Sequence, residues 1–295
     1  MGASLVAQQR EPDLLTVAER AGLDLERLLV AGGAEELRPT EVAQPALYYV
    51  GVALGRLAVE GGLTPAFGAG HSLGEYSALA VAGALDPADG MELVIARGRL
   101  MGQAPPGTMA AVLGLEREAL ESICQEVSRG GETCVVANDN SPGQLVISGT
   151  KTGIEEAGAA ARAAGARRVV PLNVGGAFHS PLMAAAAAAF EQALAAVEFR
   201  DPHWPIASGT TGQLVGSATE VRAGLSRQLS SPVLWTQAIT SLAGAGANEY
   251  LECGPGNTLG SLVRRISPGA VVTGLDSPDS VRAYLSLAAA DARAE

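Results

Sequence analysis

The sequence is short of lysine, cysteine, histidine and aromatic residues, and each shortage narrows what the chain can do. Lysine occurs once, at Lys151, so nearly all positive charge is arginine. Twenty Lys and Arg stand against 31 Asp and Glu, and the net charge of −11 argues against nonspecific nucleic-acid binding, which needs a basic surface. An acidic partner stays compatible, because screening over ~8–10 Å lets a local basic patch act alone. The three cysteines, Cys124, Cys134 and Cys253, are odd in number and lack C-x-x-C spacing. They fit neither a disulfide framework nor a zinc site and read as small buried hydrophobes. Three histidines leave little room for a His-based metal cluster. No apolar run approaches the ~18–20 residues that span a bilayer, and Met1–Arg10 lacks the basic-then-apolar pattern of a signal peptide. The expectation is a soluble cytoplasmic chain with no membrane partner. With aromatics at 4% and hydrophobics at 47%, aliphatic side chains and alanine must fill the core.

What is present is an alternation of helix and strand signals. A chain of 295 residues suffices for one large domain or two modest ones. Apolar spacing predicts helices over 11–30 and 42–60, the second capped by Thr40. A short buried parallel strand is expected over 65–70, followed at once by a turn and by helices at 74–84 and 87–103. From Thr108 the rhythm changes. Strand 109–113, helix 115–129, strand 133–137, turn 138–143, strand 144–148, helix 152–164 and strand 168–174 follow in order. This β-α-β-β-α-β succession is the ferredoxin-like pattern. It interrupts a larger α/β alternation that resumes with an alanine-rich helix over 181–197, strands at 205–207 and 249–252, and a helix after Gly254-Pro255-Gly256. The alanine run 184–189 favours packed helix over linker, and residues beyond Ala288 are expected to fray.

The sharpest chemical signal is Gly70-His71-Ser72-Leu73-Gly74, a G-x-S-x-G string. A strand before it and a helix after it set it apart from chance matches in a chain with 37 glycines. The glycines tolerate a strained turn and close strand–helix contact, and the Leu73 amide and helix dipole can stabilise a developing oxyanion beside Ser72. Serine needs a base at neutral pH. His71 adjoins the serine and points elsewhere on the turn, and His203 lies on a surface approach to a strand. His179 follows the glycine-rich strand end Val174-Gly175-Gly176-Ala177-Phe178, where an α/β sheet presents groups to a cleft. It is the candidate base, with a helix-capping histidine as the alternative.

The block Gly70–Leu79 resembles the active-site block of malonyl-CoA:acyl carrier protein transacylases. Gln44-Pro45-Ala46-Leu47, Arg97-Gly98-Arg99-Leu100-Met101, Asn138–Gln144, Ala177–Met183, Arg227–Val233 and Glu252–Asn257 resemble further motifs of that family, in order and over almost the whole chain. The resemblance implies an α/β-hydrolase-like large subdomain with a parallel sheet (1–107 and 174–295) and an inserted ferredoxin-like small subdomain (108–173). It implies transfer of a malonyl group from malonyl-CoA to the thiol of an acyl carrier protein, with Ser72 as nucleophile and His179 as base. Gln228 would supply the backbone carbonyl that orients His179, and no acidic third member is implied. Arg97 would pair with the malonyl carboxylate, as a planar fork suits. Phe178 would limit substituents at the malonyl α-carbon, although a methyl group offers only ~1–3 kcal/mol of discrimination. Gln44, His71, Asn140 and Gln144, with Asn138 nearby, would line the substrate cleft. Coenzyme A enters as a substrate and no resident cofactor is implied. A monomer, serving fatty-acid or polyketide synthesis, is expected.

One family element has no counterpart. The resemblance implies an opening F-P-G-Q-G-S-Q loop whose glutamine supplies a second oxyanion amide, and Gln8 and Gln9 lack the glycine turn that would let them replace it. Losing one such donor costs on the order of 10²–10³ in rate. A start assigned too late and a truncated, inactive relative are both consistent with that difference. A serine hydrolase or thioesterase is the other alternative, since G-x-S-x-G alone fits it. The carrier is acidic in this family, which makes Lys151, Arg167, Arg168, Arg264 and Arg265 candidates for its dock.

Overall fold

Backbone hydrogen bonds and glycine placement divide the chain more finely than apolar spacing does. The computed structural model describes residues 2–291. Four short helices, α1 (Ala3–Ala7), α2 (Pro12–Arg20), α3 (Leu25–Ala31) and α4 (Ala34–Leu37), precede the long α5 (Thr40–Glu60). The single helix expected over 11–30 is therefore two. Gly22 takes φ of 78° and ends α2, and the Asp24 side chain accepts from the Arg27 N–H at 3.1 Å to start α3. Thr40 lies inside α5 instead of capping it, and its hydroxyl accepts from Gln44 Nε2 at 2.7 Å. At 21 residues, α5 is long and apolar enough to cross a membrane by length and composition, a run longer than expected of this chain. Burial of Tyr48, Tyr49, Val52 and Leu54 against the neighbouring helices accounts for its apolarity.

Strand β1 (Gly68–Ala69), α6 (Gly74–Val81) and α7 (Pro87–Gly102) follow. Then come β2 (Thr108–Leu113), α8 (Arg117–Arg129), β3 (Cys134–Ser141), β4 (Gln144–Gly149), α9 (Lys151–Ala163) and β5 (Arg168–Pro171). These four strands form an antiparallel sheet in the order β3-β4-β2-β5, with α8 and α9 packed over a core of Val112, Leu120, Leu145, Ile147 and Ala157. The turn expected over 138–143 is mostly strand. β3 runs on to Ser141 through two register shifts, held by β4 on one side and by a parallel bridge from Asn138 to Val233 on the other.

The chain returns to the body through a 3-10 turn (Pro181–Met183) and α10 (Ala184–Ala195), which replace one expected helix over 181–197. Then follow β6 (Ile206–Ala207), β7 (Leu214–Val215), α11 (Ala218–Gln228), α12 (Trp235–Gly244), β8 (Glu249–Cys253), α13 (Thr258–Ile266), β9 (Val271–Leu275) and α14 (Pro278–Asp291). Helix α14 runs past Ala288 to Asp291, and the rest of the expected frayed tail lies outside the described residues. Among the described residues two strands pair in parallel twice, β1 with β6 and β8 with β9, in two separate sheets instead of one, apart from the single bridge at Asn138. The main core joins α5, α6, α7 and α10 through residues such as Tyr76, Met91, Val94 and Phe190. Phe190 is 1% exposed, a burial that stabilises by roughly 1.5–3 kcal/mol. Cys124 and Cys134 are buried and Cys253 half-buried, all three as free thiols.

Candidate active site

Ser72 stands at the bend between β1 and α6. It takes φ of 50°, a left-handed conformation that costs a non-glycine residue on the order of 1–3 kcal/mol. Gly70 makes the bend possible, because a Cβ there would fall 1.9 Å from the Gly74 carbonyl carbon. Gly74 faces open space, so only the first glycine of the string serves close packing. The Leu73 amide follows Ser72 at the head of α6, among the N–H groups a helix leaves without an internal partner.

His179 reaches the same point from 107 residues further along the chain. It also sits in the left-handed region, at φ 57°, in the irregular segment between β5 and the 3-10 turn. Strand β5 ends at Pro171, not at 174 as expected, which frees residues 172–180 to approach α6. Ser180 caps the 3-10 turn, accepting from the Leu182 N–H at 3.2 Å. His179 Nε2 lies 2.8 Å from Ser72 Oγ, and Nδ1 lies 2.9 Å from the Gln228 carbonyl and 3.1 Å from that of Ser231. Carbonyl oxygens only accept, so Nδ1 carries the ring proton and Nε2 offers its lone pair to the serine hydroxyl. Burial, reinforced by the charge of Arg97, pushes the imidazole down to about 3 and keeps it neutral near pH 7.

Arg97, on α7, is 1% exposed. Its Nη2 donates to Ser72 Oγ at 2.8 Å and to Gln228 Oε1 at 3.1 Å, and its Nη1 donates to Gln44 Oε1 at 2.6 Å. The guanidinium lies 5.6 Å from the Tyr76 ring centroid. No carboxylate among the described residues forms an ion pair with it within 4.0 Å. A buried cation with no carboxylate in direct contact is costly to desolvate, and an anionic group seated beside Ser72 would relieve part of that cost. Gln44 is held in turn by Thr40 and by Met101 Sδ at 3.4 Å.

His71 is half-buried, its Nε2 donating to Asn140 Oδ1 at 2.8 Å and its ring edge-on to Trp235 at 5.5 Å. That contact ties the head of α6 to β3. Phe178 is half-buried and packs against both the main core and the Met109, Ala137 and Val146 cluster of the antiparallel sheet. The structure thus gathers Ser72, His179, Arg97, Gln228 and Gln44 into one hydrogen-bonded group flanked by His71, Asn140 and Phe178. Gln144 is not part of it. It opens β4 and accepts from Arg265 Nη1 at 2.6 Å. Asn138 is buried at the bridge to Val233. Two participants carry no sequence-level assignment. Ser231 supplies a second carbonyl to His179, and the Glu75 carboxylate accepts from Gln228 Nε2 at 2.6 Å. Both lie inside quoted motifs, which was the available signal.

Known acyltransferases resemble this chain in sequence and in architecture. A model of the acyl transferase domain matches residues 4–266. The malonyl CoA-acyl carrier protein transacylase of Escherichia coli is 42% identical over 270 residues, spanning 90% of this chain and 87% of the relative. That of Bacillus subtilis is 40% identical over 260 residues, spanning 87% and 82%. The malonyl-CoA:acyl carrier protein transacylase of Xanthomonas oryzae superposes with a TM-score of 0.89 at 38% identity, covering 96% of this chain and 91% of that one. A malonyl-transacylase solved in complex with its type II polyketide synthase acyl-carrier protein gives 0.90 at 36% identity, covering 97% and 94%. By sequence and by architecture, the chain belongs to the acyl transferase domain family, among the malonyl CoA-acyl carrier protein transacylases.

Proposed function

We propose that this acyltransferase moves a malonyl group from malonyl-CoA to the phosphopantetheine thiol of acyl carrier protein, through a malonyl ester on Ser72. The product supplies extender units for fatty-acid or polyketide synthesis. The observation that carries this reading is the position of Ser72 Oγ, 2.8 Å from Nε2 of a neutral histidine and 2.8 Å from Nη2 of a buried arginine that no carboxylate among the described residues contacts. The first contact activates the nucleophile. The second selects an acyl group that brings its own carboxylate.

Ser72 Oγ attacks the thioester carbonyl while His179 Nε2 takes the hydroxyl proton. The Leu73 amide at the head of α6 faces the developing oxyanion. As the tetrahedral centre collapses, the C–S bond breaks and His179 returns its proton to the departing coenzyme A thiol. In the second half, His179 deprotonates the carrier thiol, the thiolate attacks the ester, and Ser72 recovers the proton. The Gln228 and Ser231 carbonyls hold the imidazole tautomer that an aspartate holds in other serine enzymes. The chemistry calls for no resident cofactor. Arg97 receives the malonyl carboxylate, Phe178 bounds the space at its α-carbon, and Gln44, His71 and Asn140 support the cleft. Gln144, bound to Arg265, takes no part in that support.

The same reading treats residues 1–107 and 174–295 as an α/β-hydrolase-like large subdomain and 108–173 as a ferredoxin-like small one, in a monomer working in the cytoplasm. The strand order β3-β4-β2-β5 with two helices on one face supports the second description. The test is intact-mass detection of a malonyl adduct after mixing with malonyl-CoA, followed by its transfer to added carrier. Ser72→Ala is expected to abolish the adduct and to lower turnover on the order of 10⁶-fold. Release of free malonate without malonyl-carrier would assign a hydrolase instead.

A further inference from the structure

Beneath the reacting atoms lies a carboxylate that the proposed chemistry does not use. Glu75 follows Ser72 by three residues on the first turn of α6 and is 3% exposed. Gln228 Nε2 donates to it at 2.6 Å, and the Gly209 amide and the Ser208 hydroxyl favour its ionised form. A pocket lined by donors suits an acceptor-only carboxylate.

Gln228 turns that anchor into geometry. Its Nε2 donates to Glu75 and, at 3.1 Å, to the Ser72 carbonyl. Its Oε1 accepts from Arg97 at 3.1 Å, and its backbone carbonyl accepts from His179 Nδ1 at 2.9 Å. A glutamine amide can flip end for end, but an anion on one side and a guanidinium on the other leave one satisfied orientation. Through this one residue, Glu75 touches the settings of the nucleophile, the base and the carboxylate binder at once.

We propose that Glu75 is a positioning residue for malonyl transfer, its carboxylate acting through Gln228 to fix the carbonyl that orients His179 and to balance the buried charge of Arg97. This rests on the reading of Ser72 as the malonyl carrier. The groups that face Glu75 are Arg97 from α7, Gln228 from α11, Ser208 and Gly209 after β6, and Tyr76 on its own helix. Burial raises the Tyr76 phenol far above neutral pH, and Arg97 stays cationic. Burial pushes Glu75 up to about 7, against the pull of its donors. His179, down at about 3, does not titrate there. An acidic limb near neutral pH therefore belongs to Glu75. Protonation puts a hydrogen among converging donors and releases Gln228, so acylation slows as pH falls through that value.

The experiment follows malonyl-Ser72 formation by rapid mixing and intact mass from pH 5 to 8.5, using the full chain. Wild type is expected to lose about tenfold in rate per pH unit below its limb. Glu75→Gln is expected to acylate on the order of 10²-fold more slowly at pH 8, the low end of what general-base catalysis supplies, and to show no limb. Ser208→Ala removes one donor to the ionised carboxylate, so its limb moves to higher pH while its plateau rate holds. A merely structural Glu75 would lower the rate and leave the limb in place. Glu75→Gln acylating at the wild-type rate, or keeping the limb, overturns the proposal. If that variant does not fold, an unmoved limb in Ser208→Ala overturns it alone. A wild type that never acquires malonyl overturns the transfer reading itself and this inference with it. Every other outcome starts from a wild-type adduct, so the two failures are distinct.

Discussion

The helical body and the four-stranded antiparallel sheet contribute very differently to the site. Ser72, Glu75, Arg97, Gln44 and Gln228 all come from helices α5, α6, α7 and α11 or their leading turns. They form one continuous chain of hydrogen bonds, from Thr40 through Gln44, Arg97 and Gln228 to Glu75. The sheet has its own separate core and reaches the site at one edge. There Asn140 receives His71, Asp139 N–H donates to the Val233 carbonyl at 2.9 Å, and Val233 N–H donates to the Ala137 carbonyl at 2.8 Å. The body fixes the reacting atoms, and the sheet closes the space around them. Substitutions in the body should therefore change whether transfer occurs, and substitutions toward the sheet should change which substrate or partner is accepted.

The strongest way to break that division, short of removing Ser72, is Arg97→Ala. Truncating one partner of a buried charge pair costs about 2–5 kcal/mol, so kcat/KM for malonyl-CoA is expected to fall on the order of 10²–10³-fold. Acetyl-CoA brings no carboxylate, and its slow acylation should change far less. Parallel acylation rates with the two thioesters check this. Equal losses on both would mean that Arg97 holds Ser72 in place and does not choose the acyl group.

A smaller effect is expected at the border between the two regions. Phe178 touches both cores and immediately precedes His179. Phe178→Ser opens space at the malonyl α-carbon and should relax discrimination against methylmalonyl-CoA by roughly 1–3 kcal/mol, with little loss of malonyl rate. Competition between the two thioesters, read by adduct mass, measures it. A uniform fall in both rates would place Phe178 with the body, as support for His179.

What could be read from the sequence follows the same line. Ser72 and His179 were legible because each lies where chain direction changes abruptly, between glycines in one case and after them in the other. Arg97 and Gln228 became legible only through motif resemblance, since nothing local marks a helical arginine as buried. The role of Glu75 was not legible at all. A carboxylate one turn into a helix reads as an ordinary N-terminal acid, and its meaning depends on Ser208 and Gln228, more than 130 residues away. Boundaries failed for related reasons. Gly22 breaks a pattern that apolar spacing carries straight through, and β3 extends into an Asn-rich turn signal because β4 and Val233 pair with it from either side. The single parallel sheet expected from the α/β alternation is two separate pairs among the described residues.

The smallest expected effect lies at the β3–β4 turn, where the sheet meets α13. Arg167, Arg168 and Arg265 line a cavity of about 420 Å³ with Leu113, Pro142 and Gly143, and no acidic side chain joins the lining. In a chain of net charge −11, that is a local reversal of sign. Arg264, next to Arg265 in the sequence, is absent from that lining and donates to the Val272 carbonyl at 2.8 Å. An acidic carrier seated here would meet the arginines at the rim, where exposed charges are worth roughly 0.2–1 kcal/mol each. Reversing Arg168 and Arg265 together to glutamate should raise the apparent KM for carrier by about tenfold, because each reversal replaces an attraction with a repulsion. Adduct formation from malonyl-CoA alone should hold. Raising salt should narrow the gap between wild type and variant, since screening weakens exposed pairs first. A variant that loses acylation and carrier transfer in equal measure would join this rim to the chemistry and erase the separation between sheet and body.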